Sequence, residues 1–229
     1  MTTILAIETT TELASAALFV EDQMYVRELS GVQTHSQGIL PAIQSLLTEA
    51  GISLADCNAI AFDCGPGAFT GIRTACGIVQ GLAFGADLGV IPVISLHAMA
   101  LAAAQQSSMT DYVCVLDARM NEVYWAHYRF SGNECVELSP PTLSRLDGVL
   151  LQDYAPQVLV VLGNGLELPS HLAHCAHVKF MPHAVQVAKL GLFGFHAGLS
   201  VAPEYAQPLY LRNKIALTTV ERSIAKASM

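Results

Sequence analysis

The sequence has few charged side chains, and basic ones are especially scarce. Charged residues make up 13% of the 229 positions, with 11 lysines and arginines against 19 acids and a formal net charge of −8. In residues 1–106 the basic side chains are Arg27 and Arg73 alone. Proteins that bind nucleic acid directly usually present a basic face. We therefore expect that this half of the chain does not bind nucleic acid directly.

Disulfide, secretion and membrane signals are also missing. The six cysteines form no Cys-x-x-Cys pair, and an apolar run at Ile4–Ile7 follows the first methionine without a signal-peptide pattern. These features predict a cytoplasmic protein with buried, reduced cysteines. Residues 75–104 carry one charge, but Asp87, Gly89 and Pro92 divide them into pieces too short to span a membrane.

Apolar residues, by contrast, are abundant. They account for 52% of the sequence, which is enough to fill a sizeable core. Two interpretations stay open at this point. The apolar residues fill the buried strands of an α/β core, or part of the apolar surface is covered by a partner chain.

Strand-like and helix-like patterns alternate in an order that occurs twice. The first half begins with three apolar runs, ending at Met24–Leu29, and the second half restarts with a similar strand at Tyr112–Leu116. Three strands, a helix, a strand and a helix, present twice, predict an α/β actin-like fold. Its two ribonuclease-H-like lobes, at 1–106 and 107–229, each contain a mixed β-sheet flanked by helices. We expect the last helix to pack back on the first lobe.

One predicted helix, from about Phe69 to Ala86, contains glycines on a single face. Gly77, Gly81 and Gly85 are four residues apart, and each costs a helix about 1 kcal/mol relative to alanine. Close approach of another backbone would explain them. The approaching backbone belongs either to this chain's own sheet or to a helix of another chain.

The candidates for a phosphate site are two turns. In actin-like kinases the turn after the first strand usually reads Asp-x-Gly-Thr/Ser, but here Glu8 is followed by three threonines and no glycine. A Gly-Pro-Gly loop precedes the second helix, where an anion can bind, although it matches no established phosphate motif. A decorated β-turn and a tight strand-to-helix turn are the favoured explanations of the two segments. The candidates for vestigial nucleotide contacts are Glu8, Thr9, Thr10, Gly65 and Gly67.

Metal and nucleophile patterns are incomplete. His35 begins the first predicted helix, but Ile39 occupies the position where a second histidine ligand would stand. The three histidines between positions 171 and 177 are spaced by three residues, so they do not share one helical face. Cys64 lies in the glycine-rich loop without a histidine near it in sequence. We predict neither a metal site nor a catalytic residue.

Several blocks, in this order, resemble the TsaB (YeaZ) family of the TsaB/TsaD superfamily, which is actin-like (ASKHA) and M22 glycoprotease-like. The glycine-rich loop and the helix after it are very similar to the signature of that superfamily, and the blocks span nearly the whole chain. They are Ile4–Thr11, Thr34-His35 with Leu40–Ile43, Gly65–Arg73, Asp117–Tyr124 and Pro208–Arg212.

The resemblance implies a role in tRNA modification. In this family TsaB acts with TsaD and TsaE: TsaD transfers a threonylcarbamoyl group from its adenylate to the adenosine adjacent to the tRNA anticodon, and TsaE is an ATPase. TsaB itself is a non-catalytic scaffold. The resemblance therefore implies no cofactor of this chain's own, with ATP and a divalent metal belonging to the complex. It also implies indirect contact with tRNA, and a homodimer when TsaD is absent.

The first two helices of the first lobe are predicted to contact TsaD. A bundle of two helices from each partner would bury their outer faces. The predicted partner-interface residues are His35, Ile39, Ala42, Ile43, Leu46, Phe69, Ile72, Arg73, Cys76, Gly77, Gln80 and Gly81.

Two other classes of function compete with the scaffold. The first is an enzyme, either a degenerate actin-like ATP-dependent kinase or an M22-type metallopeptidase; the glycine-free turn at Glu8 argues against the kinase, and the single His35 argues against the peptidase. The second is a homodimeric regulator unrelated to tRNA, which the apolar helices permit.

Overall fold

A computed structural model describes residues 2–29, 35–132, 134–149, 158–168, 170 and 174–212. These residues form two five-stranded sheets with helices packed against them. In these ranges no helix has the length and apolar character needed to cross a membrane. The elements are β1 (Thr3–Glu8), β2 (Ala14–Val20), β3 (Gln23–Leu29), α1 (His35–Ala50), β4 (Ala59–Gly65), α2 (Phe69–Ala86), β5 (Gly89–Ile94), α3 (Ser95–Ala104), β6 (Asp111–Arg119), β7 (Glu122–Ser131), β8 (Glu134–Ser144), β9 (Val158–Leu162), β10 (His177–Lys179) and α4 (Ala184–His196).

The first sheet has the strand order β3-β2-β1-β4-β5. Strands β1, β2 and β3 form the predicted antiparallel meander, whereas β4 runs parallel to β1 and β5 runs parallel to β4. Every residue of β1 is buried, because α1 and α2 cover one face of the sheet and α4 covers the other. A strand covered on both faces needs a continuous apolar run rather than an alternating one.

The second sheet has the same arrangement of strands as the first sheet. Its order, read from the opposite edge, is β8-β7-β6-β9-β10, with antiparallel pairs between β6, β7 and β8 and parallel pairs between β6, β9 and β10. The prediction of a mixed sheet flanked by helices, present twice, is therefore confirmed.

Two helices pack on the lobe opposite to the one suggested by their place in the sequence. Helix α3 follows the first sheet, but its Leu96 and Met99 pack against Tyr112 of the second sheet. Helix α4 follows the second sheet, but its Val187 packs against Ile4 of the first sheet. Each lobe thus completes its core with a helix from the other half of the chain, which links the folding of the two lobes.

Helix α4 packs so closely on the first sheet at Gly191 that no side-chain atom fits there. A Cβ atom there would lie 2.3 Å from Cβ of Ala61. Gly191→Ala should therefore lower the free energy of unfolding by about 1–3 kcal/mol through overpacking. The matched control is Gly77→Ala, also within a helix, where an added Cβ meets no atom within 4 Å. This variant should gain up to about 1 kcal/mol.

Urea denaturation of both variants measures the two effects directly. Equal changes in the two midpoints would contradict the tight packing of α4 on the first sheet.

Candidate functional site

The acidic side chain at the end of β1 points into the protein interior. Both Glu8 and Thr10 are fully buried. Oε1 of Glu8 accepts hydrogen bonds from the backbone N–H and the hydroxyl of Thr10, each at 2.6 Å. A second buried acid, Asp63 at the end of β4, accepts from the Ser95 hydroxyl at 2.6 Å and from the Gly65 N–H at 2.8 Å. The turn after β1, Glu8–Thr11, which we call the first turn, therefore bonds to itself instead of opening toward a ligand.

Burial changes the titration of this acidic pair. Desolvation, followed by the field of Asp63, raises the pKa of Glu8 well above its ordinary value, although the hydrogen bonds from Thr10 act in the opposite direction. Desolvation also raises the pKa of Asp63 to about 7, against the lowering effect of its hydrogen bonds. Neither side chain is an exposed carboxylate of the kind that places a metal beside a phosphate.

The glycine-rich loop after β4 is pressed against this first turn. The N–H of Ala68 donates to the carbonyl oxygen of Thr10 at 2.6 Å, and the Thr9 hydroxyl donates to the carbonyl oxygen of Gly71 at 2.8 Å. A Cβ atom at Gly67 would lie 2.4 Å from the Thr10 oxygen, and one at Gly71 would lie 1.9 Å from the Thr9 oxygen. Glycine is required at these two positions because the backbone of the loop lies against the backbone of the first turn, which leaves no room for a Cβ atom.

The five candidates for vestigial nucleotide contacts lie in two different surroundings, and their role stays a prediction. A cleft of about 880 Å³ lies between the lobes, and of the five candidate residues it is lined by Thr10 and Gly67. Glu8, Thr9 and Gly65 are buried outside the cleft lining. The loop packs directly on this turn.

The cleft itself is formed by segments that follow the carboxyl ends of strands in both lobes. The first lobe contributes Thr11 and Glu12, and the second contributes the turn at Asp117–Met120 and Asn164. The Asn164 amide donates to Oε1 of Glu12 at 3.1 Å across the cleft. This location is the usual ligand position of open α/β sheets, but much of the lining here is apolar.

A segment near the end of the described chain, Ala206–Arg212, crosses this cleft, and we call it the C-terminal strap. On the first lobe, the Leu209 N–H donates to the Cys64 carbonyl oxygen at 2.8 Å, and the Gln80 amide donates to the Ala206 carbonyl oxygen at 3.0 Å. Sequence periodicity gave no sign of this segment, because it is neither helix nor strand.

The strap continues through an aromatic stack to the second lobe. The Arg73 guanidinium lies 3.2 Å from the ring centroid of Phe69 and 5.4 Å from that of Tyr210. Arg212 then donates to the carbonyl oxygen of Ala118 at 3.0 Å and to Oε2 of Glu122 at 2.6 Å. The strap therefore ties α2 of the first lobe to the β6–β7 turn of the second.

The outer surface of α1 and α2 forms the other candidate site. An added Cβ at Gly77, Gly81 or Gly85 would meet no atom within 4 Å. Packing of these glycines against this chain's own sheet is therefore ruled out. Two large apolar side chains on the same helices are exposed as well, Leu40 at 47% and Phe84 at 83%. We call these five residues the glycine face.

Half of the predicted partner-interface residues are buried within this chain. The apolar stripes of α1 and α2 pack these helices onto their own sheet. The buried residues are Ile39, Ala42, Ile43, Leu46, Ile72 and Cys76. The remaining six are exposed or half-buried, namely His35, Phe69, Arg73, Gly77, Gln80 and Gly81. Leu40 and Phe84 were missed.

The histidine at the start of α1 is followed one helical turn later by an apolar residue. Nε2 of His35 lies 3.4 Å from the backbone oxygen of Glu12, and Ile39, one turn later, is fully buried in the core. Among the described residues no group of three or more His, Cys, Asp or Glu side chains is placed to hold a metal ion. Of the three later histidines, 171 lies outside the described residues.

Comparison with known proteins identifies the family. Residues 19–226 match the family model described as TsaD: tRNA N6-adenosine threonylcarbamoyltransferase. The chain belongs to the TsaB/TsaD family.

Relatives within the family agree in sequence and in fold. The tRNA threonylcarbamoyladenosine biosynthesis protein TsaB of Escherichia coli K12 is 37% identical over 93% of this chain and 96% of its own length. The TsaB protein of Haemophilus influenzae is 47% identical over 54% of this chain and 52% of its own. YeaZ from Pseudomonas aeruginosa superposes with a TM-score of 0.82 at 34% identity, covering 92% of this chain and all of that one. The predicted resemblance to TsaB (YeaZ) and the predicted actin-like fold are confirmed.

In this TsaB/TsaD-family chain, the strap should contribute measurably to stability. Arg212→Ala removes hydrogen bonds to Ala118 and Glu122, and we expect it to cost about 1–2 kcal/mol of the free energy of unfolding. The control is Arg119→Ala on the same turn, where the side chain is exposed and pairs with Asp117. This control should change stability by less than about 0.5 kcal/mol.

Hydrogen exchange at the Leu209 amide, together with urea denaturation, tests this expectation. Faster exchange at Leu209 in the Arg212 variant alone supports the strap, and equal exchange rates in both variants would count against it.

Proposed function

We propose that this chain is the non-catalytic scaffold subunit of a TsaB–TsaD–TsaE complex. In that complex a threonylcarbamoyl group is transferred to the adenosine adjacent to the tRNA anticodon. The observation that carries the proposal is the closed first turn, found in a chain whose relatives are named for tRNA threonylcarbamoyladenosine biosynthesis. The position that would bind phosphate in an actin-like enzyme is filled by the protein's own backbone.

The second metal-binding histidine expected of a TsaD-type enzyme has no counterpart on α1. The position one turn after His35 is occupied by Ile39, whose side chain packs in the hydrophobic core. A ligand there would have to be a buried polar group with no hydrogen-bond partner, which is costly. This arrangement supports assigning catalysis, together with the ATP and the divalent metal, to TsaD and TsaE.

The glycine face is the surface we assign to TsaD. Small residues let two helix backbones approach closely, and the neighbouring Leu40 and Phe84 supply apolar area to bury. Contact with tRNA is then indirect, through the complex, and the cytoplasm is the compartment where that substrate occurs. When TsaD is absent, the same face pairs two copies of this chain in a homodimer.

Large side chains on the glycine face should block binding without disturbing the fold. Gly77→Trp and Gly81→Trp place bulk where the folded chain leaves open space, so thermal unfolding should change little while affinity for the cognate TsaD falls at least about tenfold. The matched control is Lys189→Trp, an exposed position on α4, on the opposite side of the first sheet. This control should bind TsaD normally.

Isothermal titration of TsaD measures the affinities, and sedimentation of each variant alone measures dimerisation. Normal TsaD affinity in both glycine variants would refute the assignment of this face. Robust ATP or peptide hydrolysis by the isolated chain, lost in Glu8→Ala or His35→Ala, would refute the non-catalytic role.

A further inference from the structure

In the first turn one hydroxyl group faces two carboxyl groups, and one additional proton is needed to satisfy both contacts. The Thr10 hydroxyl oxygen lies 2.6 Å from Oε1 of Glu8 and 3.2 Å from Oδ2 of Asp63. A hydroxyl carries one hydrogen and therefore donates to one of the two carboxyl groups at a time. If both acids were ionised, the other contact would place an oxygen lone pair against a buried carboxylate.

A proton on Oδ2 of Asp63 satisfies the contacts of the Thr10 hydroxyl with both carboxyl groups. That proton is donated to the Thr10 oxygen, the Thr10 hydroxyl donates to Oε1 of Glu8, and Oδ1 of Asp63 accepts from Ser95 and Gly65. Oε2 of Glu8 is also buried and has no hydrogen-bond partner among the described residues, so a second full charge in this cluster is poorly solvated. We propose that Glu8 and Asp63 share one proton, and that this shared proton keeps the first turn closed under the β4–α2 loop.

The loop and the strap depend on the same pair of strands. Asp63 accepts from the Gly65 N–H, Thr10 accepts from the Ala68 N–H, and Cys64, next to Asp63, accepts from the Leu209 N–H. Loss of the shared proton would leave two like charges in a low-dielectric interior and push β1 and β4 apart at this end. The loop and the strap should then loosen together.

The neighbouring groups do not offset a second negative charge. The titratable groups whose fields reach the pair are Glu12, in the same turn, and the Cys64 and Cys76 thiols, and none of them is a cation. Burial raises the pKa of both acids. Because the folded-state pKa of Asp63, about 7, lies above that of the unfolded chain, the stability that its proton contributes is fully present at low pH and is lost as the pH rises through about 7. The inference concerns this chain alone and does not depend on the proposed function.

Asp63→Asn is the decisive variant. Its amide nitrogen, in place of Oδ2, would donate permanently to the Thr10 oxygen, so the cluster needs no extra proton. In the unmodified chain the unfolding equilibrium constant should rise by up to about tenfold per pH unit between about pH 5 and pH 7 through the titration of Asp63, and the variant should lose this Asp63 contribution. The control is Glu49→Gln on the surface, whose profile should run parallel to that of the unmodified chain. A pH profile of stability for Asp63→Asn that runs parallel to that of the unmodified chain would overturn the proposal.

A second variant keeps the test decisive if Asp63→Asn does not fold. Ser95→Ala removes a donor to Asp63, which makes the ionised form less favourable and should move the pH transition upward by about one unit. Exchange at the Ala68 and Leu209 amides should accelerate through the same pH range. The shared proton would be contradicted if Ser95→Ala left the pH transition of stability unmoved. It would also be contradicted if hydrogen exchange at these two amides did not change over the pH range of the transition.

A bound cation is the competing explanation for two buried acids. At pH 8, MgCl2 and NaCl should stabilise the full chain no more than choline chloride at equal ionic strength. Specific stabilisation by Mg²⁺ or Na⁺ that disappears in Asp63→Asn would show that the pair holds a metal ion instead, and would overturn the proposal.

Discussion

The close approach of two backbones, Thr9-Thr10 after β1 and Gly67–Gly71 after β4, is the constraint on which the rest of the structure depends. It requires glycine where a Cβ would meet a carbonyl oxygen, and it buries Glu8 and Asp63 beneath the contact. It also fixes the start of α2, and with it the position of the Arg73 stack that receives the strap. The loop after β4 therefore holds β1, β4 and the start of α2 together.

Cohesion between the lobes arises from three features far apart in the sequence. Helices α3 and α4 each pack on the opposite lobe, the Asn164 amide bridges to Glu12, and the strap spans from Leu209 to Arg212. In actin-like enzymes the two lobes enclose a ligand between them. Here the contacts across the cleft come from the chain itself.

Much of the fold could be predicted from the sequence, because buried strands and the 3.6-residue stripe of α1 are local patterns. In the sequence, Ile39 and Leu46 look alike whether they pack on their own sheet or on a partner, and the folded chain buries both in its own core. Gly77 could be singled out because a helical glycine needs a reason. The reason for Gly71 could not be found, since it depends on Thr9, which is 62 residues earlier in the chain. The strap has no periodicity to reveal it.

The central claim, that this chain supports catalysis without performing it, is tested most directly by reconstituting threonylcarbamoyl transfer to tRNA. The cognate TsaD and TsaE would be supplied with threonylcarbamoyl adenylate, with and without this chain, and this chain would also be assayed alone. The account predicts product only when TsaD and this chain are both present, and none from the chain alone. Equal product from TsaD without this chain, or product from this chain alone, would contradict it.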